Sequence, residues 1–165
     1  MRREGIEPHA SAAEVLRRVA EIEEESRLFY VGLRDNTKNE WVHRFADELM
    51  KAEIRHRDRF YKYAARAEAK AADKGRFGGE CPEKVMHLLA TRILPTKEQI
   101  AHSAPYASDR EAIQLAIRAE EHIALLLTEV REYMLQDEKK YIDRVIKEEW
   151  GHHARLQLIL RNHIG

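Results

Sequence analysis

Cysteine is nearly absent from this chain of 165 residues: Cys81 stands alone. One thiol excludes an internal disulfide and any four-cysteine metal knot. Glycine and proline are scarce, at 7 and 4 residues, and most of them cluster between positions 73 and 107. The rest of the chain therefore has few of the residues that break helices. Net charge is also lacking, since 29 basic residues balance 29 acidic ones. That balance gives no expectation of nucleic acid or of an anionic membrane as partner. No apolar run approaches the roughly 20 residues needed to cross a bilayer. The opening MRREGIEPHA has no apolar stretch of a secretory signal, so the expected compartment is a reducing cytoplasm.

Ala, Glu, Leu, Lys and Arg are abundant, and these are strong helix formers. Their spacing predicts four long helices in a single domain spanning 1–165. The first runs from Ser11 to Leu33, opened by a Ser11/Glu14 capping box. Its inner stripe is Val15, Val19, Ile22, Ser26, Phe29 and Leu33. The second runs from Asn39 to Ala72, with Val42, Phe45, Leu49, Ala52, Glu53, His56, Phe60 and Tyr63 inward. The third starts at Ser108, capped through Glu111, with Ile113, Ala116, Glu120, Ile123, Leu127, Val130 and Met134 inward. A break near Gln136-Asp137 precedes the fourth, whose stripe is Ile142, Val145, Glu149, His152, Leu156 and Ile159. Short turns make helices one and two, and helices three and four, antiparallel hairpins. The segment 73–107 reads as a long crossover with two short helices, one near Pro82 to Thr91 and one opening at Thr96. The predicted fold class is therefore all-α, a four-helix bundle of two hairpins joined by one long crossover.

Apolar stripes normally stay apolar. Here Glu53, His56, Glu120, Glu149 and His152 interrupt them in mid-helix, and Glu23 flanks the first stripe beside Ile22. A buried carboxylate without a partner costs several kcal/mol. Four at one level repel each other strongly unless cations lie among them, and two divalent ions balance four carboxylates. Residues at i and i+3 share a helix face, so Glu53/His56 and Glu149/His152 each aim a carboxylate and an imidazole at one point. Oxygen and imidazole ligands without thiolate suit iron, manganese or zinc. The halves also repeat: Glu23 precedes Glu53 by 30 residues, and Glu120 precedes Glu149 by 29. A third copy, Glu40-Trp-Val-His43, is an internal control. Its Glu40 falls across the helix from Leu49 and at the helix start, where a carboxylate favours the positive dipole end. It is expected to be a capping or surface residue.

At these residues the chain resembles the rubrerythrin-like branch of the ferritin-like di-iron carboxylate proteins. The matching stretches are Glu23-Glu-Glu-Ser-Arg-Leu-Phe-Tyr30, Ala52-Glu-Ile-Arg-His56, Ala116-Ile-Arg-Ala-Glu120 and Glu148-Glu-Trp-Gly-His152. The resemblance implies two metal ions with Glu23, Glu53, His56, Glu120, Glu149 and His152 as their ligands. Glu53 and Glu149 are implied to bridge, Glu23 with His56 to complete one ion's shell, and Glu120 with His152 the other's. Tyr30 matches a family tyrosine close to the site. Implied activities are those of an oxidoreductase or ferroxidase, with iron reacting with hydrogen peroxide or dioxygen under oxidative stress. The alternatives are iron storage, delivery or sensing without turnover, and a metal-free helical interaction module. Two departures stand out. Ile123 occupies the position where peroxide-reducing rubrerythrins carry another Glu. No paired Cys-x-x-Cys module is present, so electrons are expected from a separate donor protein. A small apolar pocket at Ile123 and Leu127 is expected to admit the oxidant. A homodimer is the expected assembly. Glu24, Glu25, Glu121 and Glu148 are expected on solvated faces, His122 and His153 at the surface, and Cys81 inert.

Overall fold

The computed structural model describes residues 10–70, 81–96, 98–99 and 108–164. Among the described residues four long helices and one short one have defined bounds, and there is no strand. They are α1 (Ala12–Asn36), α2 (Glu40–Ala69), α3 (Glu83–Ala90), α4 (Asp109–Arg131) and α5 (Gln136–Asn162).

Local chemistry sets the helix ends. Ser11 and Glu14 exchange both bonds of the capping box that opens α1. Asn39 Oδ1 accepts from the N–H groups of Trp41 and Val42 at the start of α2. Ser108 Oγ accepts from Glu111 N at 3.2 Å and starts α4. Such caps satisfy helix donors that have no intrahelical partner. The break between α4 and α5 falls at 132–135, a few residues before the expected Gln136-Asp137. Glu138 explains the shift. Its buried carboxylate accepts from Leu135 N at 2.9 Å, which makes Gln136 the first helical residue. Met134 accordingly lies in the turn, although it is buried as expected.

Contacts between helix ends fix the directions. Arg17 pairs with Glu68, and Arg34 with Asp47, so α1 and α2 are antiparallel. Arg66 pairs with Asp137 and Arg155 with Glu48, so α2 and α5 are antiparallel. Thr37, after α1, donates to Asp109 at the start of α4. Helices α2 and α4 therefore run the same way, and the chain must travel the length of the bundle between them. Its described part does so along the α1/α4 face. Lys84 meets Glu129 near the lower end, His122 Nε2 meets the Leu88 carbonyl midway, and Arg92 reaches Glu25. Thr96 and Gln99 then exchange capping bonds where the second short helix was expected to open. The remainder of the crossover, and the last residues expected in the second helix, lie outside the described residues.

The core has two apolar layers. The lower holds Val15, Val19, Phe60, Val130, Ile142 and Val145. The upper holds Phe29, Leu33, Phe45, Leu49, Ile113 and Leu156. Fully burying a side chain such as Leu or Phe contributes roughly 1.5–3 kcal/mol, so the two layers hold the four helices in register. Between the layers, each long helix turns an ionisable residue inward.

Candidate metal centre

The middle layer brings all six sequence-predicted residues together. Helix α1 supplies Glu23, α2 supplies Glu53 and His56, α4 supplies Glu120, and α5 supplies Glu149 and His152. Each sits one or two turns from apolar residues of both layers, so helix periodicity forces it inward. All four carboxylates are completely buried. The His56 side chain is 2% exposed and that of His152 is 14% exposed.

The ligand atoms form two overlapping groups. Glu23, Glu53, His56 and Glu149 bring one ligand atom each to within 4.8 Å of one another, and so do Glu53, Glu120, Glu149 and His152. Glu53 and Glu149 belong to both groups. Both imidazoles turn Nδ1 to the centre. His56 Nδ1 lies 2.8 Å from Glu149 Oε1, and His152 Nδ1 lies 3.2 Å from Glu120 Oε2 and 3.3 Å from Glu149 Oε2. The first approach lacks hydrogen-bond alignment, which leaves both of those atoms without a partner. Both oxygens of Glu23 and both of Glu53 are also buried without a hydrogen bond. Buried polar groups are nearly always paired. A cluster of unpaired oxygens aimed at one point, with imidazole beside it, fits cations as the absent partners.

Mutual proximity shifts the titration of these groups in the metal-free chain. Burial, then repulsion from Glu53, drives the Glu23 carboxyl well above its ordinary 4.5. Burial and Glu149 push Glu120 up to about 8. Burial and Glu53 oppose the charge on Glu149, but its close approaches to Glu120, His152 and His56 outweigh them and lower it. Burial opposes charge on both histidines. Glu149 and Glu53 nevertheless hold His56 well above 6.5, and Glu120 with Glu149 raises His152 to about 10. Protonated imidazoles thus offset part of the carboxylate charge.

Two neighbours complete the layer. Tyr30 is fully buried and donates its hydroxyl to Glu120 Oε1. Burial and the Glu120 charge hold the phenol well above 10, so it stays a donor. Glu148 is a correction to the sequence reading, which placed it on a solvated face. Its Oε2 lies 2.9 Å from His56 Nε2, across the α2/α5 gap. With Nε2–H donating to Glu148, Nδ1 is the ring nitrogen left to face the centre. The only sequence signal was that Glu148 precedes a candidate ligand, and that did not say which gap it faces.

Other expectations fare variously. Glu40 is exposed, 3.8 Å from Arg44, as its helical phase required. Glu121 is exposed. Glu24 and Glu25 are half-buried in ion pairs, Glu24 with Arg27 and Arg57, and Glu25 with Arg18 and Arg92. His122 is half-buried and holds the crossover through the Leu88 carbonyl, whereas the surface was expected. His153 is also half-buried, with its ring edge-on to Trp150. Leu127 packs wholly in the lower layer and does not line the cavity at Ile123, because it lies one turn further along α4. Cys81 is buried, and burial pushes its thiol up, which leaves it a poor nucleophile.

Four antiparallel neighbours with one crossover along the full length define the ferritin-like fold. A solved structure from Thermotoga maritima, described as a candidate ferritin-like diiron-carboxylate protein, shares it with a TM-score of 0.76. The match covers 94% of this chain and 98% of that one at 19% identity, so the likeness is one of fold. No protein-family model matches the sequence, and no curated protein does.

Proposed function

We propose that this chain is a di-iron carboxylate protein whose metal pair reacts with hydrogen peroxide or dioxygen. The observation that carries the reading is the pair of overlapping ligand groups with shared Glu53 and Glu149, lined by buried oxygens that have no other partner. In this reading Glu23, Glu53, His56 and Glu149 would hold one ion, and Glu53, Glu120, Glu149 and His152 would hold the other. The fold neighbour, described as a diiron-carboxylate protein, supports the same assignment. Held by these residues, two ferrous ions would supply one electron each to a small oxidant.

The chain's own residues do the rest. Four carboxylates offset the charge of two divalent cations and bind hard ions through oxygen. Glu148 fixes the His56 ring and its tautomer. Tyr30 holds Glu120 through Oε1. The apolar layers above and below keep bulk water away, which strengthens each charge interaction. In this reading the return of electrons falls to a separate donor protein.

The test is anaerobic loading with ferrous iron, followed by peroxide or oxygen. Two equivalents of iron and a rise in near-ultraviolet absorption with consumption of oxidant are expected. Metal uptake without any oxidant consumption points instead to storage or delivery. Uptake below one equivalent, unchanged in Glu53→Ala, rejects the centre itself.

A further inference from the structure

Between α1 and α4 lies a cavity of about 20 Å³, roofed by the strap that follows α3. Its walls include Ile22, Ser26, Thr91, Leu94, His122 and Ile123. Ser26 is one turn beyond Glu23, and Ile123 is one turn beyond Glu120. The cavity therefore abuts both turns that carry the unshared carboxylates. Its size suits one water-sized molecule and excludes any organic substrate.

Ser26 is the unusual member. It is 1% exposed, and its hydroxyl has no hydrogen-bond partner. A helical serine commonly bonds back to the carbonyl one turn earlier, and Ser26 does not. The other polar walls are engaged. Glu25 pairs with Arg18 and Arg92, and Thr91 donates to the His87 carbonyl at 2.8 Å. His122 spends Nε2–H on the Leu88 carbonyl at 2.9 Å, which leaves Nδ1 as an acceptor. A hydroxyl that can donate or accept, beside an imidazole that accepts and with the remaining polar walls engaged elsewhere, complements a ligand with O–H groups. Dioxygen has none and gains little from such walls.

We propose that this cavity is a binding site for one small hydroxylic molecule, hydrogen peroxide when present and water otherwise, held by Ser26 beside the carboxylate centre. The peroxide part rests on the function proposed above. The water part does not.

Two variants separate space from chemistry. Ser26→Val puts two methyl groups in place of the hydroxyl and fills the chamber, while Ser26→Ala removes the hydroxyl and keeps the space. High-resolution crystals of the whole metal-free chain are expected to show an ordered oxygen within hydrogen-bond distance of Ser26 Oγ, absent in Ser26→Val. A wild-type cavity without that density overturns the site. In iron-loaded protein the rate constant for hydrogen peroxide is expected to fall about tenfold in Ser26→Val, the scale of one lost hydrogen bond. It falls less in Ser26→Ala, and the rate with dioxygen and the iron content stay unchanged. Equal peroxide rates in wild type and both variants overturn the peroxide assignment. A wild type that takes up no iron overturns the metal reading alone, and the crystallographic result still decides the site.

Discussion

The two halves of the centre carry the same ligands and different surroundings. In the α1/α2 half, Glu23 and Glu53 have no hydrogen-bond partner, and Glu148 stands behind His56. In the α4/α5 half, Tyr30 donates to Glu120, and His152 touches both Glu120 and Glu149. His152 is also the more exposed imidazole. Repetition of one Glu and one Glu-x-x-His thus produces two groups of equal ligand count and unequal support. The half with a carboxylate behind its histidine has the better-fixed ring, while the other half satisfies its own groups internally when metal is absent.

The largest test removes what the halves share. Glu149→Ala is expected to lower affinity for both ions by more than ~100-fold, beyond the range for outer partners, as read by metal analysis after dialysis. Retention of one tightly held ion would break the shared-ligand picture.

Acidity tests the charge balance next. The folded-state values of Glu23, Glu120, His56 and His152 are raised. Their stabilisation is complete below the unfolded values and is lost as pH rises through the folded ones; Glu149 acts in the opposite sense. The metal-free chain is therefore expected to melt at lower temperature as pH climbs from 4.5 to about 8. The metal-loaded chain is expected to gain over that range, because metal binds deprotonated ligands. Parallel melting profiles would contradict this account.

Glu148→Ala sharpens the asymmetry. About a 10–100-fold loss of affinity is expected at one ion only, visible as a split in a calorimetric titration. An equal loss at both ions would show that the halves do not differ in this way. Tyr30→Phe has the smallest effect. It removes one buried donor from Glu120, with an expected cost of about 1–3 kcal/mol to the metal-free chain and unchanged metal stoichiometry. Chemical denaturation with and without metal measures it.

Much of this was legible beforehand because helical phase is local. Glu53, His56, Glu120, Glu149 and His152 lie on stripes whose period alone turns them inward. The same arithmetic put Glu40 outside, despite its matching motif. Phase does not tell which neighbouring helix a flanking residue faces. Glu148 sits about 100° from Glu149, and only the α2/α5 packing brings it to His56. His122 and Ser26 were obscure for a like reason, since the crossover that one holds and the chamber that both line exist only once α3 lies along α1 and α4.

From its order of residues alone, this protein determines helices, hairpin turns and the inward direction of five of the six candidate ligands, because these follow from capping, periodicity and connector length. Tertiary structure alone decided which histidine receives an outer partner and where a buried hydroxyl meets a cavity. Those outcomes depend on distances between segments far apart in the chain, which helix packing sets and local pattern does not encode.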